Sequence, residues 1–129
     1  MDFELPEELR LLKDNLRKFV DRELIPLERE TVNNVQMQKE LYKTLRPKSE
    51  ALGLWQFDVP EEYGGLGLGM MAKVVVWSEI SRTTALPSRA VNIFGFPVSP
   101  ILYTLEGRAK EEYLLPVING TKTSCFAQT

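Results

Sequence analysis

The stretch PEELRLLKDNLRKFVDRELIPL, residues 6–27, decides the fold class of this chain. Its apolar residues recur at steps of three and four with charged residues between them, which predicts an amphipathic helix rather than a strand. Pro6 suits a first helical turn, and Pro26 disfavours helical angles at the residue before it. We therefore predict a helix from about Pro6 to Leu24. Its apolar positions are Leu9, Leu12, Leu16, Phe19, Val20, Leu24 and Leu27.

A second helical pattern follows at Met37, Leu41 and Leu45. Pro47 then interrupts it, so either the helix kinks there or a new helix starts with Pro47 in its first turn. Gly53 is a suitable end on either interpretation. We favour one kinked or restarted helix.

The segment from Gly69 to Arg82 contains a Val-Val-Val run that β propensity alone would place in a strand. Strands rarely exceed about ten residues, and this uninterrupted segment is longer. Its length therefore favours a third helix.

Prolines and glycines divide the rest of the chain into shorter predicted helices at Ser88–Phe94, Ser99–Leu105 and Arg108–Val117. The total is five to six helices, a mainly α fold. The closing residues TKTSCFAQT resemble a strand, but no further strand follows to pair with it. We predict a helical domain over residues 1–121 and, over residues 122–129, the first strand of a β domain that lacks its sheet.

Composition excludes several classes of function. Hydrophobic residues make up 43% and charged residues 26%, as in ordinary globular proteins, and the net charge of -2 gives no field that would attract nucleic acid. The chain has no histidine and a single cysteine, so we expect neither a zinc site nor an internal disulfide. It lacks a secretion leader and a run of roughly 18 apolar residues. We expect a soluble cytoplasmic or organellar protein.

The residues GLGMMA, 67–72, match a loosened dinucleotide-binding fingerprint, GxGxxA. That site requires a strand leading directly into the motif, whereas a Pro-Glu-Glu-Tyr segment precedes it here. A tight loop entering a helix is the favoured interpretation. The adjacent acids Glu61-Glu62 and Glu111-Glu112 point in different directions from neighbouring positions, so they are read as solvated charge.

Aromatic residues offer a candidate acyl pocket, although aromatic side chains in a domain of this size usually fill the core. The candidates are Trp55, Trp77, Phe94 and Phe96. Ser88 and Asn92 could orient a ligand or simply face water, and periodicity does not choose between these alternatives.

Three segments together resemble the N-terminal region of an acyl-CoA dehydrogenase. They are VPEEYGGLGLG at 59–69, WSEISRTTA at 77–85 and KEEYLLPVINGTKTSCFAQT at 110–129. The resemblance implies an orthogonal or up-down helical bundle that precedes a small β domain and a C-terminal helical bundle, with FAD bound between those two.

The resemblance also implies site residues. Backbone around Phe126 and Gln128 and the hydroxyl of Thr129 would contact the flavin ring, although the Glu-Pro that usually follows this threonine is missing. Ser88, Asn92 and Phe96 would line the acyl cavity. The family's catalytic base is a carboxylate of the C-terminal bundle, so no catalytic residue and no metal ligand is assigned to this chain.

By the same resemblance, the full-length protein would use FAD, acyl-CoA and an electron-transfer flavoprotein, form a homo-oligomer, and lie in the cytoplasm or in the mitochondrial matrix of a eukaryote. The 129-residue chain alone would hold no FAD and be inactive. The alternative is a free-standing helical module that binds acyl-CoA or serves assembly without flavin.

Overall fold

The structure is a computed structural model that describes residues 4–86, 93–95, 97–125 and 127, with only the backbone of Tyr42. Three long helices dominate it: α1 (Glu7–Phe19), α3 (Val35–Ala51) and α4 (Gly69–Ile80). Short α-helical segments lie at α2 (Glu28–Thr31), α5 (Gly107–Ala109) and α6 (Leu115–Ile118). The prediction of a mainly helical fold is confirmed.

The first helix follows its predicted course. After Phe19 it widens into a π-helical turn at Val20–Leu24, and a 3-10 turn at Ile25–Leu27 then carries Pro26. A second π-helical turn, Lys110–Leu114, also ends two residues before a proline, Pro116. A proline ring crowds the carbonyl four residues earlier, which gives both helices a reason to widen at that point.

Helix α3 continues through Pro47, so the segment is one helix and a helix restarted at Pro47 is wrong. Asn34 caps its start by accepting a hydrogen bond from the Met37 backbone N–H at 3.1 Å. Gly53 follows its end with a φ of 69°, a left-handed conformation that glycine adopts without strain.

The Val-rich segment forms helix α4, as its length predicted. The predicted helix at Ser99–Leu105 is instead a 3-10 segment, Pro100–Thr104, whose start carries a proline. The predicted helix at Arg108–Val117 runs from Gly107 to Ile118 as α5, a π turn and α6. Most of the predicted helix at Ser88–Phe94 lies outside the described residues.

The end of the chain is only partly described. Residues 122–125 and 127 are exposed, and none of these five is in a strand. The remaining residues of the predicted terminal strand lie outside the described part, so the division at residue 121 stays a prediction.

Two apolar clusters hold the fold together. The larger one joins α1, α3 and α4, and its rings Phe19 and Phe94 lie 5.9 Å apart. Its members are Leu16, Phe19, Val20, Leu24, Leu45, Leu54, Phe57, Val75, Val76, Ile80, Ala85, Leu86, Ile93 and Phe94. The smaller one is centred on Val59, Leu114 and Ile118, under Tyr63 and Tyr103.

Candidate functional site

The residues assigned by resemblance all lie outside the described part of the chain. These are Ser88, Asn92 and Phe96 for the acyl cavity, and Phe126, Gln128 and Thr129 for the flavin. The segments that flank them are described, and the contacts that hold these flanks follow.

Gln56 holds one flank of the predicted cavity segment. Its backbone N–H donates to the Phe94 carbonyl at 2.6 Å, and its side-chain amide donates to the Ile118 carbonyl. It does so with a φ of 56°, a left-handed conformation that is uncommon for a residue other than glycine. Gly95 lies so close that an added Cβ would meet the Gln56 backbone at 3.1 Å. Gln56 therefore joins the cavity flank to the smaller cluster.

Glu28 holds the other flank. One oxygen of its carboxylate accepts a hydrogen bond from the Thr83 hydroxyl at 2.8 Å and another from the Thr84 backbone N–H at 2.9 Å. The Thr84 bond first and the Thr83 bond second lower the pKa of Glu28 below its ordinary value. The chain is thus fixed just before residue 87 and again at residues 93–95.

The backbone amides of the glycine-rich loop before α4 donate hydrogen bonds to carbonyls of the same chain. The backbone N–H groups of Leu66, Gly67 and Leu68 donate to the carbonyls of Gln56, Val59 and Phe57 at 3.2, 2.9 and 3.1 Å. Gly65 is packed so tightly that a Cβ there would lie 2.1 Å from the Val59 oxygen. Because these amides already bond to carbonyls of the chain, they are not available to bind a pyrophosphate. The structure therefore supports the interpretation as a tight loop rather than as a dinucleotide site.

Glu79 is the only buried carboxylate among the described residues, with 2% of its surface exposed. Arg17 donates to both of its oxygens, at 2.9 and 3.1 Å, and Arg82 adds a bond at 3.3 Å. This pairing with Glu79 raises the pKa of Arg17 above its ordinary value. Because both oxygens are occupied, Glu79 joins α1 to α4 and is not a free general base.

Lys122 fixes the start of the closing segment. Pro116 has no N–H to offer to the Glu112 carbonyl, and the Lys122 ammonium donates to that carbonyl at 2.9 Å. The Lys122 backbone N–H also donates to the Pro116 carbonyl at 3.0 Å, and its ammonium lies 5.4 Å from the Tyr113 ring centre. These bonds hold the chain against α6 as far as Lys122.

Two aromatic residues and three charges cluster beside the smaller core. Tyr63 and Tyr103 lie 5.5 Å apart, Lys110 lies over the Tyr63 ring, and Lys73 pairs with Asp58 at 2.6 Å. Burial, followed by the charge of Asp58, raises the pKa of Tyr103 to about 12. Tyr103 therefore stays a neutral phenol at physiological pH.

Sequence reasoning missed Gln56, Glu28 and Lys122. Each of the three forms a hydrogen bond with a backbone group far along the chain or across a loop, and none of these residue types signals such a bond. Only the proline at 116 gave a usable hint, since it leaves a carbonyl in need of a donor.

Within the described ranges, no group of His, Cys, Asp or Glu side chains could hold a metal ion, and no helix is long and apolar enough to cross a membrane.

Comparison with known proteins identifies the class to which this arrangement belongs. Residues 6–121 match the family described as acyl-CoA dehydrogenase, N-terminal domain. The chain belongs to the acyl-CoA dehydrogenase family.

Its relatives are much longer than the chain. The mitochondrial short-chain specific acyl-CoA dehydrogenase of Rattus norvegicus is 35% identical over 127 residues, which cover 96% of this chain and 29% of the relative. The (R)-benzylsuccinyl-CoA dehydrogenase of Thauera aromatica is 36% identical over 119 residues, 82% of this chain and 28% of the relative. The 3-(aryl)acrylate reductase of Clostridium sporogenes is 31% identical over 127 residues, which cover 95% of this chain and 32% of the relative. The chain therefore spans about three tenths of these relatives.

Proposed function

We propose that this chain is the N-terminal domain of a flavin-dependent acyl-CoA dehydrogenase that desaturates acyl-CoA thioesters between the α and β carbons. The observation that carries the proposal is the family match over residues 6–121. The dehydrogenase and reductase names of the relatives support the reaction class. A carboxylate outside this chain would abstract the α proton, and FAD, when bound, would supply at N5 the acceptor for the β hydride.

The contribution of this chain to substrate binding is one wall of the acyl cavity, with Ser88, Asn92 and Phe96 in the lining. The fixed flanks support this role, because Glu28 and Gln56 hold the chain on both sides of residues 87–92. Ile93 and Phe94 are buried in the larger core, with 0% and 1% exposed, and anchor the segment there. A wall of this kind excludes water and orients the acyl chain.

Phe126, Gln128 and Thr129 would hold FAD, which supplies a hydride acceptor when bound. The donor set fits, since backbone amides and a hydroxyl are suited to a ring that gains negative charge. The neighbouring residues 122–125 are exposed, as expected for one side of a site that another domain completes. The bond from Lys122 to the Glu112 carbonyl holds the start of the closing segment.

The 129-residue chain alone would be inactive. Glu79, the one buried carboxylate in the described part of the chain, is occupied by Arg17 and Arg82, so it does not replace the base that lies outside this chain. The complete protein would use acyl-CoA and an electron-transfer flavoprotein, assemble as a homo-oligomer, and lie in the cytoplasm or the mitochondrial matrix. The matched short-chain relatives are named as mitochondrial.

The test is to purify the 129-residue chain and measure its flavin absorbance and its desaturation of acyl-CoA. We expect neither flavin nor turnover. Stoichiometric FAD together with activity would contradict the proposal that the catalytic base and most of the flavin site lie in parts of the enzyme outside this chain.

Trp55 and Trp77 provide a second readout through their fluorescence. A saturable change with acyl-CoA but none with FAD, in a chain whose gene stops after codon 129, would support the free-standing acyl-CoA-binding module instead. A reading frame that continues into Glu-Pro would support the dehydrogenase.

A further inference from the structure

Two described residues other than glycine have a positive φ: Asn33 at 63° and Gln56 at 56°. Asn33 lies in the turn before α3, and asparagine adopts a left-handed conformation readily. Glutamine has no such preference, so the contacts around Gln56 hold it there. Strained backbone of this kind is concentrated at functional sites, where the surrounding structure supports it. The strain at Gln56 therefore calls for a functional explanation.

Gln56 uses its backbone and its side chain on different parts of the chain. Its N–H donates to the Phe94 carbonyl at 2.6 Å, and its carbonyl accepts from the N–H groups of Val59 and Leu66 at 3.1 and 3.2 Å. Its side-chain amide donates to the Ile118 carbonyl. The strained residue thus connects the flank of the predicted acyl cavity with the end of α6.

The Ile118 carbonyl is open to this bond for a local reason. In a continuing α-helix it would accept from the N–H four residues later, that of Lys122. The Lys122 N–H donates instead to the Pro116 carbonyl at 3.0 Å. Because Ile118 is the last residue of α6, the Gln56 amide reaches the chain just before the closing segment begins.

We propose that Gln56 is a positioning residue of the complete enzyme, which sets the separation between the cavity flank at Phe94 and the end of α6 at Ile118. The inference rests on the proposed function, in which the first of these parts adjoins the acyl-binding residues and the second leads to the flavin-binding residues. Gln56 acts through these two carbonyls rather than on the reacting atoms. A misplacement of about 1 Å between bound groups can slow a reaction by up to about 100-fold.

The first experiment measures kcat and KM for acyl-CoA, per bound flavin, in the product of the complete natural reading frame. Gln56→Met keeps the backbone bonds and the length of the side chain but removes the amide donor. Gln36→Met is the control, at an exposed residue of α3 whose amide donates to the Glu40 carboxylate at 2.9 Å. We expect Gln56→Met to lower kcat about tenfold with KM within about threefold of wild type, and Gln36→Met to change neither.

A wild-type kcat per flavin in Gln56→Met would overturn the proposal, even if the variant unfolds at a lower temperature. Gln56→Gly provides a second variant in case the methionine weakens the fold, because glycine removes the same amide donor and relieves the left-handed strain. It should show the same fall in kcat. A glycine variant with the wild-type kcat would also overturn the proposal.

The second experiment needs no flavin and measures amide exchange in the 129-residue chain by nuclear magnetic resonance. Gln56→Met should accelerate exchange about fivefold both at the N–H of residue 56 and at the Gly120 N–H, which donates to the Val117 carbonyl. Acceleration at one of the two places alone would show that Gln56 does not connect them, and would overturn the proposal.

Failure of this inference and failure of the proposed function give different results. A wild-type complete product without flavin or turnover contradicts the proposed function, whatever the exchange rates show. An active wild-type product whose Gln56→Met variant has the same kcat overturns the positioning role alone.

Discussion

At the scale of single residues, Gln56 holds the described flank of the predicted acyl-cavity segment at Phe94. Its backbone is held in a left-handed conformation by bonds to three parts of the chain: it donates to Phe94 and accepts from Val59 and Leu66. Such a conformation costs a residue with a Cβ about 1–2 kcal/mol. The surrounding hydrogen bonds, rather than the residue's own preference, therefore fix its geometry.

Two substitutions separate the backbone of Gln56 from its side chain. Gln56→Ala removes the bond to the Ile118 carbonyl and keeps the backbone strain, whereas Gln56→Gly removes the bond and relieves the strain. We expect the glycine variant to have the higher free energy of unfolding, by about 1 kcal/mol, in urea denaturation. An alanine variant as stable as the glycine variant would show that the left-handed backbone imposes no cost.

The lowered pKa of Glu28 predicts a dependence of stability on pH. Because the folded-state pKa lies below the ordinary value of 4.5, the unfolded chain binds more protons between the two values, and the stabilisation is lost as the pH falls through this range. Glu28→Gln should lower the melting temperature at pH 7, and the difference from wild type should shrink below about pH 4.5. The same change at exposed Glu30 of α2 is the control and should show no such convergence. A Glu28→Gln difference that is constant with pH would contradict the prediction.

At the scale of elements, the sequence was a good guide wherever local pattern decides the outcome. The apolar spacing in residues 6–27 predicted α1, and the length of the Val-rich segment predicted α4. Pro47 left two interpretations open because its local effect is the same in both, and the structure has one continuous helix through it. The widening before Pro26 and Pro116 was not predicted, since it depends on how one turn accommodates a proline further along.

The junction between α6 and the closing segment gives the prediction at this scale. Lys122→Met keeps the apolar stem but removes the donor to the Glu112 carbonyl, so we expect a loss of about 0.5–1 kcal/mol. Amide exchange at Thr121, whose N–H donates to the Pro116 carbonyl, should become faster. Lys43→Met on the exposed side of α3 is the control. Unchanged exchange at Thr121 would show that the turn at Gly120 holds the junction without Lys122.

For the whole molecule, the sequence predicted the helical class but not the long-range contacts that hold the described flanks of the candidate site. Glu28 lies 55 residues from Thr83, and Gln56 lies 62 residues from Ile118. Contacts over such distances are set by the packing of helices, which a single sequence does not specify. The roles of Ser88, Asn92, Phe96, Phe126, Gln128 and Thr129 remain predictions, because these residues lie outside the described part of the chain.

The two apolar clusters also predict how the molecule opens. Leu16 lies in the larger cluster and Leu114 in the smaller one, and each side chain is 0% exposed. Truncation of either side chain to alanine should lower the free energy of unfolding by about 2–5 kcal/mol. The two truncations should weaken different parts of the fold. Leu16→Ala should lower the protection of amides throughout the chain, because the larger cluster joins all three long helices.

Leu114→Ala should instead accelerate exchange mainly at the amides of α6 and the residues around it, while α1 and α4 keep their protection. In the described part of the chain the two clusters share no side chain, and Gln56 bonds to Phe94 of the larger one and to Ile118 of the smaller one, so we expect the smaller cluster to open without unfolding the long helices. Hydrogen exchange measured by mass spectrometry on both variants distinguishes the two patterns. Equal loss of protection in α1 and α6 for Leu114→Ala would show that the clusters unfold as one unit, and that the bonds of Gln56 couple the cavity flank to the whole core.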